Sequence, residues 1–339
     1  GSDRLALAVP TTVPTSEQTR RPKCRWPFRF GVCSQQRRFV IACIRTMTDI
    51  HFNNPIQPGQ SPVVSSRPYS RYAAILLDFA ARHRTVLASH VQRHFPHVFR
   101  TDRATRMHLQ TLVIHGDLMT LRPGMNHANI YLLTQKGLRS LERIAGNGVA
   151  LGPPARLARP SGSHLAHELL ITEVAVSVAE AARARPDLQI PWEERLGFIG
   201  AHAFGELVPD YGFLIKHMQG LLACFVEVFS GEESPTRMRQ KLDQYAAWAA
   251  RPEGQAFLVE LYRRHGAREP RPQFRLLLVA HDRRMGNDRR KLNQLLWEAT
   301  TPARPTRERI WLTTAADIEQ APSIDAPIWV RPKDVQLQE

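Results

Sequence analysis

The sequence lacks any apolar run near the roughly 20 residues that a membrane-spanning helix requires, and it has no basic amphipathic stretch built for a lipid interface. A membrane partner is therefore not expected. Cysteine is scarce: Cys24, Cys33, Cys43 and Cys224 are all there is, with no CxxC pair among them. That excludes a disulfide framework and argues for reduced thiols in a bacterial cytoplasm. His164, His167, His202 and His217 show no HExxH spacing, so zinc is not expected either. Acidic residues are also in short supply, 31 against 46 lysines and arginines, which leaves a formal charge of +15 over 339 residues. Such an excess favours a polyanionic partner, and double-stranded DNA is the first choice.

What is present divides the chain into stretches. Residues 1–66 are rich in Pro, Thr, Gln, Ser and Arg without a helical or strand period, and read as a disordered basic arm. Within it "MTDIHFNNPIQPG" makes Met47 a natural start, and an arm that touches phosphates is the alternative. Residues 67–146 read as a folded unit of three short helices, "YAAILLDFAARH", "TVLASHVQRHF" and "TDRATRMHLQTLVIHGDL". Two strands follow, "LMTLRP" and "IYLLT", joined by the turn "GMNHAN", and then the helix "QKGLRSLERIAG". Residues 147–163, "NGVALGPPARLARPSGS", have the proline and glycine content of a linker. Residues 164–332 alternate helices and strands: helix 164–185, strands 197–204, 207–215 and 221–229, helix 234–250, strand 274–281, helix 288–299 and strand 310–314. That alternation predicts an α/β unit around a mixed sheet.

In the third helix Thr101 or Asp102 is placed to cap, and Gly116 to stop it. With Thr105, Leu109, Leu112 and Val113 facing inward, Arg103, Met107 and Gln110 point away and Arg106 lies on the flank. Arginine and glutamine on an exposed helix suit base edges in a major groove. The following strands bring Arg122, Asn126, His127 and Asn129 toward phosphates or a minor groove. Across 69–143 the unit resembles the winged helix-turn-helix family. The plainer reading is a solvated charged face or a protein contact module.

The stretch "VPDYGFLIKHMQGLLACFVEVF" holds two carboxylates, Asp210 and Glu227, in what reads as two strands paired across "KHMQG". Acidic groups held close in apolar surroundings are costly unless a cation or proton lies between them. Mg²⁺ (or Mn²⁺) is the natural occupant, because it takes hard oxygen ligands, with Asp210 and Glu227 as its metal ligands. This order of acidic strands followed by a helix bearing lysine resembles the PD-(D/E)xK nucleases, except that Phe229 stands where their lysine belongs. Lys241, in "SPTRMRQKLDQYAAW", lies beside Met238 and Tyr245 and is placed either to reach inward over the strands or to snorkel at the surface. In "HLAHELLITEVAVSVAEAA" Glu173 falls on the inward side and Glu168 on the solvent face. The nuclease resemblance implies that a glutamate from this helix completes the metal site, while a structural pair with His167 or an arginine is the alternative.

Taken together with "WEE" at 192–194 and "FRLLLVAHDRR", these segments resemble the replication-relaxation family of plasmid and mobile-element proteins over about 69–329. The resemblance implies an N-terminal winged helix-turn-helix domain followed by a restriction-endonuclease-like α/β domain. It implies double-stranded DNA and replication or mobile-element proteins as partners. Asp210, Glu227, Lys241 and Glu173 would form a catalytic set, or the fold would survive without catalysis in a replication or transcription regulator.

Overall fold

The structure is a computed structural model that describes residues 70–122, 128–145, 162–195, 207–218, 220–230, 234–268, 270, 273–281, 288–300, 307–321, 324 and 328–332. The arm at 1–66, most of the interstrand turn with Asn126 and His127, and the linker at 147–161 lie outside the described residues.

The N-terminal elements are α1 (Arg71–His83), α2 (Ala88–His94), α3 (Asp102–Ile114), β1 (Leu118–Leu121), β2 (Ile130–Leu133) and α4 (Gln135–Ala145). Ser70 and Thr101 cap α1 and α3 by accepting from the amides of Ala73 and Ala104, which satisfies donors a helix start leaves open. Gly116, at φ +74°, supplies the left-handed turn after α3. The hairpin pairs Leu118 with Leu133 through to Leu121 with Ile130, and Val86 bridges Tyr131 beside it. Leu76, Leu77, Phe79, Val91, Phe99, Leu109 and Tyr131 fill the core between these elements. Full burial of each such side chain is worth about 1.5–3 kcal/mol. Gly137 closes the unit: a Cβ there would lie 2.0 Å from the backbone oxygen of Asp117, so α4 can approach β1 this closely only through glycine.

The C-terminal elements begin with α5 (Gly162–Ala184), followed by β3 (Gln189–Glu194), β4 (Tyr211–His217), β5 (Gly220–Ser230), α6 (Pro235–Ala250), α7 (Pro252–Arg264), β6 (Phe274–His281), α8 (Asp288–Thr300), β7 (Ile310–Thr314) and α9 (Ala315–Gln320). They form an α/β unit on a five-stranded mixed sheet in the order β3-β4-β5-β6-β7, antiparallel from β3 to β5 and parallel from β5 to β7. Central β5 is covered on both faces, which explains its nearly unbroken apolar run. Ala223, Phe225 and Phe229 face Met238, Leu242, Tyr245 and Trp248 of α6, while Cys224, Val226 and Val228 face Ile171, Val174 and Val178 of α5.

The strand expected at 197–204 lies outside the described residues, and β3 lies earlier, carrying Trp192, Glu193 and Glu194. Two further helices, α7 and α9, went unread in the sequence. Pro252 looks like a break after α6 but sits in the first turn of α7, where its missing N–H would be unpaired anyway.

Helix α5 is apolar around most of its girth because it is covered on two sides. Leu170, Ile171, Val174, Ala175 and Val178 pack on the sheet. Val176 belongs to the N-terminal core, and Leu165 and Leu169 pack under Leu121, Ile130 and Leu132 of the hairpin.

Candidate active site

Asp210 immediately precedes β4, one residue beyond the Tyr211–Val226 pair, so it comes abreast of Glu227 on β5. Its amide donates to the carbonyl of Val226 at 3.1 Å, which extends the ladder and fixes the side chain over the strand end. Asp210 Oδ2 accepts from the amide of Val228 at 2.8 Å, and Oδ1 lies 3.3 Å from His167 Nε2 of α5. Glu227 is buried, with 1 % of its surface exposed. Its Oε1 accepts from Tyr245 Oη at 2.5 Å, and Lys241 Nζ forms an ion pair with Oε2. Lys241 and Tyr245 stand one helical turn apart on α6, so one face of that helix delivers both groups to one carboxylate. Lys241 therefore reaches inward, and Phe229 is part of the apolar core beneath α6.

The two carboxylates are driven apart electrostatically. Burial alone would raise Asp210, but the Lys241 ammonium, His167 and the Val228 amide outweigh it and hold the group well below the usual carboxylate range. Burial pushes Glu227 up to about 8, with the neighbouring Asp210 charge adding to the rise and Lys241 and Tyr245 opposing it. His167 is shifted up: burial favours its neutral ring, and the Asp210 carboxylate overcomes that. The result is an ionised aspartate beside a carboxyl group that titrates near neutrality, with an ammonium within reach of both.

His167 and Tyr245 are site neighbours that the sequence reading assigned no role in the site. Tyr245 carried a signal, because a tyrosine on a buried helix face needs a partner for its hydroxyl. His167 carried none, since its partner is 43 residues away in the chain.

Glu173 is not brought to these carboxylates. Its oxygens take Arg93 Nη1 of α2 at 2.6 and 2.8 Å, with His90 at 3.3 Å. Burial would raise its pKa, but His90 and Arg93 hold it at about 2. The arginine-paired alternative describes this geometry. Glu168, expected on the solvent face, is 4 % exposed and is clamped by Arg84 at 3.1 Å and Arg195 at 2.7 Å. The helical wheel of α5 misplaced it because the wheel assumes one buried face, and this helix has two.

Of the residues expected to meet DNA, Arg103, Arg106, Met107 and Gln110 share the exposed side of α3, and Arg106 pairs with Asp102 at 2.6 Å. Arg122 is exposed at the end of β1. Ile114 of α3 and Met119 of β1 are also exposed, apolar surface that the charge pattern did not reveal. No helix among the described residues is long and apolar enough to cross a membrane, and no group of three or more metal-binding side chains occurs among them.

No match was found among curated proteins or solved structures. The family model described as replication-relaxation, in contrast, matches residues 77–258, a span that begins in α1 and ends in α7 and takes in Asp210, Glu227 and Lys241. That span exceeds half of the 339 residues, and the chain belongs to the replication-relaxation family.

Proposed function

We propose that this is a DNA-binding protein of a plasmid or mobile element, docking through a winged helix-turn-helix made by α1–α3 and the β1–β2 hairpin. Its C-terminal unit acts as a PD-(D/E)xK-type site that cleaves or nicks DNA. The observation that carries the reading is the Lys241–Glu227 pair beside Asp210. A lysine from α6 supplies the cation that Phe229 cannot, in the place where two strand carboxylates meet.

The donor set fits Mg²⁺ or Mn²⁺. Asp210 and Glu227 present hard oxygens, each with lone pairs beyond the contacts described, and Mg²⁺ is commonly held by one or two carboxylates with water and phosphate completing its shell. Bound there, the ion would supply a Lewis acid and a water of lowered pKa. Asp210, ionised throughout the physiological range, would hold the ion. Glu227, ionised at and above about pH 8, would accept the proton released as water attacks phosphorus. Lys241 would offset the negative charge that builds on the phosphoryl oxygens while the bond to the leaving oxygen breaks. Tyr245 and His167 orient the two carboxylates.

A second reading has its own support. Lys241 already neutralises Glu227, so the pair satisfies the fold without any metal, as expected of a non-catalytic replication or transcription regulator. Cleavage of supercoiled plasmid with Mg²⁺ or Mn²⁺ decides between them. Nicking by the native chain that is lost in Asp210→Asn and Glu227→Gln supports the nuclease. Gel shifts retained by both variants with no nicking by any of the proteins support the regulator.

A further inference from the structure

The turn between α1 and α2 has an unusual backbone. Arg84 has φ +60° and ψ −45°, and among the described residues it alone has positive φ without being glycine. The Thr85 amide donates to the His83 carbonyl at 2.6 Å, closing a γ-turn of the rare, strained hand. Such conformations persist only where the surroundings over-determine them. Here the surroundings come from the C-terminal unit. Arg195 Nη1 donates to the His83 carbonyl at 2.9 Å, and Thr172 Oγ1 of α5 lies 3.2 Å from the same oxygen and 3.0 Å from the Thr85 carbonyl. The Arg84 side chain meets Arg195 across Glu168, the residue next to His167, and His167 contacts Asp210.

We propose that this turn couples the two ends of the molecule: DNA bound at α3 is felt at the Asp210–Glu227 site through Arg84, Glu168 and the His167 turn of α5. Arg84 is then a positioning residue that touches neither DNA nor the carboxylates. Helix α3 packs through Leu109 and Leu112 on the apolar core of α1 and α2, the helices that this turn joins, and from the turn to Asp210 the contacts are short and polar. Glu168 is shared between Arg84 and Arg195, so a shift of the turn removes one of its two cations and redistributes the buried carboxylate toward the other. This coupling rests on the proposed DNA contact.

Hydrogen exchange on the full chain, with and without a mixed-sequence duplex, tests it. In the native protein the duplex is expected to slow exchange over 102–114 and, by about fivefold or more, over 165–172. Arg84→Gly is the informative variant, because glycine adopts positive φ without strain, so the turn is kept while the side chain that meets Glu168 is lost. It should keep the protection at 102–114 and lose it at 165–172, and Arg84→Lys should restore most of the loss. A thermal melt confirms that each variant is folded. Protection at 102–114 without a change at 165–172, or an equal change in Arg84→Gly, overturns the coupling and leaves the DNA reading intact. No protection at 102–114 overturns the DNA reading and the coupling with it.

Discussion

Replacing Lys241 with Met tests the electrostatics of the site most directly. Methionine keeps the helix propensity and much of the length of lysine while removing the ammonium. The Lys241 side chain is 27 % exposed and that of Glu227 is 1 % exposed, so the substitution leaves a buried carboxyl group without its cation. Breaking a buried pair from one side costs about 3–5 kcal/mol. The partial exposure of Lys241 sets the expectation at the lower end, about 3 kcal/mol, which for a folded body of this size lowers Tm by about 6–12 °C. The loss must depend on pH. Glu227 is raised by burial from 4.5 to about 8. Between those values the folded protein therefore holds a proton that the unfolded chain has released, and stability falls as pH rises through that window. Removing the ammonium raises the folded pKa further. The difference between variant and native protein should thus be small near pH 5, where Glu227 is protonated in both, and largest at about pH 8 and above. Thermal melts followed by circular dichroism across that range read both quantities. A Tm loss under about 2 °C, or one that does not vary with pH, would refute the claim that Lys241 neutralises Glu227.

Tyr245→Phe removes the donor to Glu227 Oε1 and should cost about 1–3 kcal/mol by denaturant titration, with native secondary structure retained. Gly137→Ala drives a methyl group into the Asp117 carbonyl; a loss of about 3 kcal/mol or more, read as a lower Tm, is expected because backbone cannot move aside as a side chain would. Arg93→Ala strips Glu173 and Glu180 of their shared partner. Limited proteolysis should then cut between α4 and α5 faster than in the native chain, and unchanged cutting would mean the pairs do not hold the N-terminal elements on α5. For DNA, log affinity should fall linearly with log salt, and Arg103→Ala should reduce that slope by about one if the residue contacts a phosphate. Fluorescence anisotropy with a labelled duplex measures this, and an unchanged slope removes Arg103 from the interface.

Much of the local structure was legible because its causes are local. Thr101 and Gly116 bound α3 by capping chemistry, β6 and β7 stand where their apolar runs stand, and the approach of Asp210 to Glu227 follows from pairing two strands across a short turn. The inward reach of Lys241 stayed open, because helical spacing places it on a flank and a flank residue turns either way. It turns inward because Glu227 is buried with no other cation described beside it.

The sequence by itself determined most of the helices and strands, the cationic balance and the two carboxylates that oppose each other. Periodicity, capping and charge are properties of neighbouring residues. Only the tertiary structure decided what α5 does. A helix wedged between two packed groups is covered on two faces, so Glu168 is buried, Glu173 is bound to Arg93 and His167 faces Asp210. The elements responsible lie some 25 to 85 residues away along the chain, and only the folded chain brings their charges within reach of these side chains.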